Sequence, residues 1–308
     1  MSSLSNQRIA YFNGNYVPER EVVVPFRDRS WTRGDGVFDM TRSFNGRSFK
    51  MKEHVERLYR SLKYLRIDPG LTPKEMVDIS EEVLGRNRHL LGKGEDYWIG
   101  QRISRGVDAV GDEGWEHTGP NVVVECMPLP LKQRAKLYRD GMRVIVPATR
   151  RVAPSMLSPR AKMHQYLNLT IADMEAKAAD PEAWSVLLDE NGNLSEGTGS
   201  NIFLVRNGEI ATPHERYVLP GVSRATALDL ARELGIPARE ADLDLYDAST
   251  ADEIFITSTS LCICPVSQFN GQKVGDGKVP GPVTKRLIDA YVAFVDCDFV
   301  AQYLRHLA

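Results

Sequence analysis

Five Asn-Gly pairs punctuate the chain, at 13–14, 45–46, 191–192, 207–208 and 270–271. Asn and Gly tolerate positive φ at both central positions of a type I′ turn, whose twist suits two antiparallel strands, so such pairs mark hairpins. The flanking runs fit: RIAYF with NYVPE, MTRSF with RSFKM, NIFLV with EIATP, PVSQF with QKV. Antiparallel sheet is therefore expected along the whole length.

Helices interrupt it. EHVERLYRSLKYL places Val55, Leu58, Leu62 and Leu65 at helical spacing, with Arg57 and Arg60 off that stripe. PKEMVDISEEVLGRNRHLL follows, with Pro73 at a first helical position. YLNLTIADMEAKAAD reads as a helix that stops before Pro181, and SRATALDLARELG as one that ends at Gly235. The last segment, PVTKRLIDAYVAFVDCDFVAQYLRHL, is helical for much of its length. The class is α+β. At 308 residues one core is too few, and the two prolines after NVVVEC place a boundary in MPLPLKQRAKL. The expected division is a smaller domain over 1–127, an interdomain loop over 128–137, and a larger domain over 138–308 that carries Lys162.

Composition narrows the function classes. Apolar residues are 42% and charged residues 26%, an ordinary globular balance. A formal net charge of -2 offers no basic excess for nucleic acid or an anionic membrane. No apolar run approaches the roughly 20 residues that span a bilayer. The opening MSSLSNQRIAYFNG lacks the apolar core of a signal peptide. Four cysteines are too few for a disulfide scaffold, and Cys262 and Cys264 alternate along an apparent strand with no nearby His or Cys. They read as thiols in a reducing cytoplasm, with no metal site expected. RGDGVF is too short for a dinucleotide fingerprint and leads into a strand rather than a helix, which argues against a dinucleotide fold.

Four stretches carry polar groups that suit chemistry. Lys162, in SPRAKMHQYLNLT, lies just before an expected helix, whose positive end disfavours a second positive charge. Desolvated as well, its amine would be a nucleophile for carbonyls; otherwise it is a surface charge. Glu196, in LSEGTGSNIFLV, leads a glycine-bearing corner into an apolar strand, either as hairpin chemistry or as a carboxylate facing a cationic heterocycle. Gly221, Val222 and Ser223 open a helix whose free N–H groups suit an anion, and Ser223 is a helix cap, a phosphate ligand or both. EIFITSTSLCICPV runs straight into Thr257, Ser258, Thr259 and Ser260, hydroxyls that suit a turn or a phosphate. A lysine, a carboxylate and a hydroxyl-lined anion site are together the parts that hold pyridoxal phosphate.

In this order the motifs resemble those of the class IV, or fold type IV, pyridoxal-phosphate aminotransferases. That family includes branched-chain and D-amino-acid aminotransferases, (R)-selective amine transaminases and aminodeoxychorismate lyase. The likeness runs from YFNGNYVPE to KVPGPVTKRL. It implies a small α+β domain, a short interdomain loop and a larger pseudo-barrel domain, with the cofactor between them, in a homodimer or higher homo-oligomer. By the same resemblance, Lys162 is the Schiff-base lysine and proton shuttle, and Arg57 of HVERL contacts the cofactor phosphate. Glu196 pairs with the pyridine nitrogen, Val222 and Ser223 cradle the phosphate, and Thr259 and Ser260 of TSTS add to it. Tyr166 occupies the position of a tyrosine that hydrogen-bonds the phenolic oxygen. The amino group then passes from a small-molecule donor to a 2-oxo acid such as 2-oxoglutarate or pyruvate.

Substrate class is less sharply written. The R-x-H pair of D-amino-acid enzymes is missing from YWIGQRISRGVDAVGD, as is the branched-chain Y-x-R-P, while Phe38 matches the branched-chain preference for phenylalanine. EGTGSN and TSTSLC differ from the usual (R)-amine motifs E-G-S-G-F-N and T-T-A-G-G. Arg102 is the candidate fork for a substrate carboxylate, with a strand-face salt bridge as its alternative. Trp31, Phe38 and Met40 are candidates for an apolar side-chain pocket, and His164 reads as structural. A branched-chain type of donor is the expectation, with a D-amino acid, an (R)-amine or a lyase reaction as alternatives.

Overall fold

The computed structural model describes residues 7–112 and 114–307, and contacts divide the chain into two units. One takes in the chain up to Leu129 and, from further along, Ala161–Tyr166; the other is Pro130–Arg160 with Leu167 onward.

The first unit begins with strands β1 (Ile9–Phe12) and β2 (Asn15–Pro18), a short helix α1 (Arg29–Arg33), and strands β3 (Gly36–Phe44) and β4 (Arg47–Ser48). Helices α2 (Met51–Leu65) and α3 (Pro73–Asn87) follow, then strand β5 (Tyr97–Ser104). Strands β6 (Val107–Gly111) and β7 (Gly114–Thr118) form a separate hairpin, and β8 (Val122–Pro128) completes the unit. The main sheet is antiparallel throughout, in the order β2-β1-β8-β5-β3-β4. Alternation along the strands sends Val37, Ile99, Ile103, Val122 and Val124 to one face. There they pack with Val55, Leu58 and Leu62 of α2 and Met76, Val83 and Leu84 of α3. A reciprocal capping box between Thr72 and Glu75 starts α3, worth about 1 kcal/mol.

Arg57 departs from its expected place off the apolar stripe: it is buried, facing the sheet. Its Nε and Nη2 donate to the two carboxylate oxygens of Asp39 at 2.8 and 2.7 Å, and His54 Nδ1 lies 2.7 Å from the same carboxylate. A charge can enter a core when a paired charge enters with it.

In the second unit the expected loop over 128–137 is largely helical, with α4 (Leu131–Arg134) and the start of α5 (Lys136–Asp140). Strand β9 (Met142–Ile145), helix α6 (Leu167–Ala179) and strands β10 (Trp184–Leu188), β11 (Leu194–Gly197), β12 (Ser200–Arg206) and β13 (Glu209–Pro213) come next. Then follow α7 (Val222–Glu233), β14 (Ala238–Ala241), α8 (Leu245–Ser249), β15 (Glu253–Ser258), β16 (Cys262–Phe269) and β17 (Gln272–Lys273). The last helical segment is two helices, α9 (Pro282–Val295) and α10 (Phe299–Leu304), because Asp296 turns left-handed at φ 50 and Asp298 caps a new start. Strands β9, β16, β15, β12, β11 and β10 each pair with the next, and β10 returns to β9, so the sheet closes into a six-strand barrel. Closure works because β12 divides one edge, giving Ser200 and Asn201 to β11 and Leu204–Arg206 to β13.

Four Asn-Gly pairs have positive φ at both residues and join β1–β2, β3–β4, β12–β13 and β16–β17. Asn191-Gly192 differs, with only the glycine at positive φ. Asp189 there accepts the N–H groups of Asn191 and Asn193 and sets a wider loop. Among the described residues no helix is long and apolar enough to cross a membrane.

Candidate active site

In the first unit Phe38 and Arg102 lie on the sheet face opposite α2 and α3, whereas Arg57 is buried on the helix side against Asp39. Strand β4 covers only Ser43 and Phe44 of β3, which leaves the edge at Gly36–Phe38 open. Residues 162–164 fill it: Phe38 N–H donates to the Lys162 carbonyl at 3.1 Å, and His164 N–H to the Gly36 carbonyl at 2.9 Å. Lys162 N–H donates to Ser61 Oγ of α2 at 3.0 Å, and Ser61 Oγ donates to the Arg57 carbonyl at 3.1 Å. Lys162 is thus extended backbone stitched to a strand. The helix after it starts only at Leu167, so no helical first turn contains the lysine. Its segment, assigned from sequence to the larger domain, groups with the first unit.

The Lys162 side chain lies across aromatic rings. Its Nζ is 4.5 Å from the centroid of Phe38 and 3.5 Å from Tyr166 Oη. Tyr166 meets Phe38 edge-on at 5.5 Å, and His164 packs on the same ring at 5.7 Å. Burial, helped by the charge of Arg102 and opposed by Asp28, pushes the His164 imidazole down to about 4, so it is neutral at physiological pH. Gly36 admits that ring: a Cβ there would stand 2.7 Å from His164 Nδ1 and 2.7 Å from the Ile103 carbonyl.

Arg102 pairs in register with Phe38 across β3 and β5, and its guanidinium lies 5.6 Å from the ring centroid. Its Nε donates to Glu125 at 2.7 Å, the strand-face bridge foreseen as the alternative to substrate binding. Trp31 does not join the group; it stands 79% exposed on α1.

In the second unit Glu196 is buried on the short strand β11. One carboxylate oxygen accepts from Arg151 Nε at 2.9 Å and the other from the Leu219 N–H at 2.8 Å. Asn201, opposite Glu196 in register, donates to the Leu219 carbonyl at 3.0 Å. The segment before α7 is therefore tied to the barrel, and it arrives at Gly221, where a Cβ would fall 2.2 Å from Asn201 Oδ1. Any side chain there would have to displace the Asn201 amide. Val222 begins α7, whose start has no side-chain cap; Ser223 Oγ instead donates to the Ser258 carbonyl at 3.1 Å. First-turn N–H groups left without a side-chain partner suit an anion. Thr259 and Ser260 lie in the turn between β15 and β16, and Thr257 Oγ1, at the end of β15, is buried with no partner.

Residues implied for the cofactor thus fall into two local groups: Arg57, Lys162 and Tyr166 in the first unit, beside the substrate candidates Phe38 and Arg102, and Glu196, Val222, Ser223, Thr259 and Ser260 in the second. Both fit their parts. A carboxylate fixed by two donors keeps lone pairs for a third, as a pyridine N–H partner requires. An uncapped helix start beside hydroxyls suits a phosphate. Reading the sequence missed Asp39, Arg151 and Asn201, which hold these side chains. The pairing of Asp39 with HVER was signalled only by GVFD, an acid on an apolar strand.

Comparison with known proteins agrees. The family model for amino-transferase class IV matches residues 36–269. A putative branched-chain-amino-acid aminotransferase of Methanocaldococcus jannaschii is 37% identical over 282 residues, covering 91% of this chain and 94% of its own. A D-alanine aminotransferase of Staphylococcus haemolyticus is 27% identical, over 93% of this chain and 97% of its own. The crystal structure of the T.th. branched-chain amino acid aminotransferase with pyridoxamine 5'-phosphate superposes with a TM-score of 0.84, at 29% identity and 94% coverage of each chain. The chain belongs to the class IV aminotransferases and is an enzyme of the transaminase type with the fold type IV architecture.

Proposed function

We propose that the protein is a pyridoxal-phosphate-dependent aminotransferase. In this reading it moves the amino group of an apolar, branched-chain type of amino acid to a 2-oxo acid such as 2-oxoglutarate or pyruvate. The observation that carries the proposal is Lys162, pinned through its backbone to β3 and Ser61 with its amine over Phe38 and beside Tyr166. The cofactor, when bound, supplies an aldehyde that condenses with amines and a ring that accepts the electron pair released at the substrate α-carbon. Lys162 Nζ would be the amine that holds the group, and as a free amine it would take and return the α-proton. Tyr166 Oη hydrogen-bonds the phenolic oxygen. Glu196, fixed by Arg151 and Leu219, accepts the ring N–H. Arg57, Val222, Ser223, Thr259 and Ser260 hold the phosphate. Phe38 lines the donor side chain, and the two terminal nitrogens of Arg102, beyond its Nε bond to Glu125, receive a carboxylate.

The 37% identity to a putative branched-chain enzyme supports the donor class, and the 27% likeness to a D-alanine aminotransferase supports a D-amino acid as the second reading. A homodimer is part of the proposal. Leu167, Ile171 and Met174, exposed by 67%, 41% and 66%, share one face of α6, and such a face suits a protein partner. A cytoplasmic setting, which keeps all four cysteines as thiols, completes it.

The purified protein should be yellow, and borohydride should bleach it and fix the chromophore to the peptide bearing Lys162. Lys162→Ala should lose that colour and about 10²- to 10⁴-fold in rate, the usual share of general acid–base catalysis. A variant that stays yellow and reducible would remove Lys162 from its role. Loss of colour with L-leucine, but not D-alanine or (R)-1-phenylethylamine, supports the branched-chain reading, and pyruvate release without an acceptor would indicate a lyase. A donor and acceptor preference unchanged in Arg102→Ala would sink the carboxylate role.

A further inference from the structure

The bond between Arg102 and Glu125 crosses the sheet on a diagonal. On the face away from α2 and α3, Phe38 of β3 pairs with Arg102 of β5, and Arg102 with Val123 of β8. One row along, Met40 pairs with Gly100, and Gly100 with Glu125. Gly100 leaves room for the glutamate beside it: a Cβ there would stand 3.4 Å from Glu125 Cγ and 3.2 Å from Met40 Sδ. Glu125 thereby receives Arg102 Nε at 2.7 Å, the two side chains being 17% and 39% exposed. A bridge this open to water adds little stability.

A guanidinium is planar and offers its N–H groups along separate edges. Glu125 takes Nε, and among the described residues Nη1 and Nη2 have no hydrogen-bond acceptor. The bond has two effects. It fixes the guanidinium beside Phe38, whose ring centroid lies 5.6 Å from it and 4.5 Å from Lys162 Nζ. It also sets an anion against the cation, so a carboxylate arriving at Nη1 and Nη2 meets a neutralised pair rather than a free positive charge. His164, on the same ring, is neutral at physiological pH and adds no charge.

We infer that Glu125 is a positioning residue that holds Arg102 in place and loosens its grip on carboxylates. The inference rests on the proposed function, in which the terminal nitrogens of Arg102 receive a carboxylate. There, substrates and products alike carry one. A grip felt equally in ground and transition states lowers KM without raising kcat, and it delays release. A counter-charge on the same guanidinium keeps the orienting contact and weakens the hold.

The test compares two probes on the cofactor-loaded full chain. 4-Methylpentanoate, the carbon skeleton of leucine without its amino group, and 4-methylpentanamide differ in charge but hardly in shape. The ratio of their Kd values, amide over carboxylate, measured by calorimetry, reads the carboxylate against a neutral group. Glu125→Gln keeps an acceptor for Nε and removes the counter-charge, so the ratio should rise by about tenfold, the order expected of one partly screened unit charge. Glu125→Met, also uncharged, should raise it too, and replaces Glu125→Gln if that protein does not fold. Glu125→Asp keeps the charge and should move the ratio less. An unchanged or lower ratio in the uncharged variants, or an equal rise in Glu125→Asp, would overturn the inference, since a merely structural glutamate weakens both probes alike. Arg102→Ala should lower the wild-type ratio; if it does not, the carboxylate role of Arg102 in the proposed function fails, and the inference with it.

Discussion

Replacing Asp39 by asparagine keeps the shape of the side chain and removes its charge. Asp39 is fully buried, and it receives both Arg57 contacts, at 2.7 and 2.8 Å, with His54 2.7 Å away. Asparagine would leave the buried guanidinium without an anion and turn an amide N–H₂ toward a donor. Breaking one side of a buried ion pair costs about 3–5 kcal/mol, well above the loss of a neutral hydrogen bond. The cost should fall on α2 and β3, where native-state hydrogen exchange at the amides of Val55 and Leu58 reads it locally. Adding Arg57→Met removes the stranded charge, so the double variant should recover more than half of the loss. The pH dependence has a definite sign. The Arg57 and His54 partners hold the Asp39 carboxyl well below the usual carboxylate range, against its burial. The folded protein then binds fewer protons at this site than the unfolded chain. Its stabilisation is complete above about pH 4 and is lost as pH falls further, a slope that Asp39→Asn should lack. A loss below about 1 kcal/mol in Asp39→Asn, or simple additivity in the double variant, would refute the reasoning.

Gly36→Ala should destabilise by about 1–3 kcal/mol, seen as a lower Tm, because its Cβ meets His164 and the Ile103 carbonyl. Gly85→Ala, exposed in α3 with nothing within 4 Å of its Cβ, should instead stabilise by about 0.5–1 kcal/mol. Half-buried His164, at about 4, should stay neutral at pH 6 in ¹⁵N NMR; a midpoint near 6.5 would contradict its desolvation. Between about pH 6.5 and 4 the unfolded chain takes up a proton there that the folded chain refuses. Stability should therefore fall with pH, by at most about 1.4 kcal/mol per unit from this group, and His164→Phe should flatten the slope.

The hairpins were legible because Asn-Gly is a local instruction, answered by the two residues' own φ preferences. Asn191-Gly192 shows its limit: Asp189, two residues away, offers a side-chain acceptor and reshapes the loop. The motif singles out Lys162, but the helix expected to follow it directly starts only at Leu167. The edge Lys162 occupies is open because β4 is short, a fact about pairing far upstream at Ser43–Ser48 that no local pattern announces. Arg57 was misplaced for a related reason. Helical periodicity counts a charge as solvent-facing, and only the register of β3 brings Asp39 to meet it. Arg151 lies 45 residues from Glu196 and reaches it through the fold. Holding residues are harder to read than acting ones, since any arginine within reach serves, whereas an amine nucleophile leaves little choice of residue.

The chain passes between its two units three times, after Leu129, after Arg160 and after Tyr166. One consequence concerns how such a protein can be taken apart or recombined. A fragment ending at Leu129 would lack the strip that pairs with Gly36 and Phe38, exposing an unpaired backbone edge where an amine now stands. A protease nick at one passage leaves two covalent links intact. A single genetic crossover at the first passage, exchanging one parent's first unit for another's, would pair a β3 from one ancestor with a lysine strip from the other. Exchange between relatives is therefore expected to succeed only when that six-residue strip travels with the unit it completes.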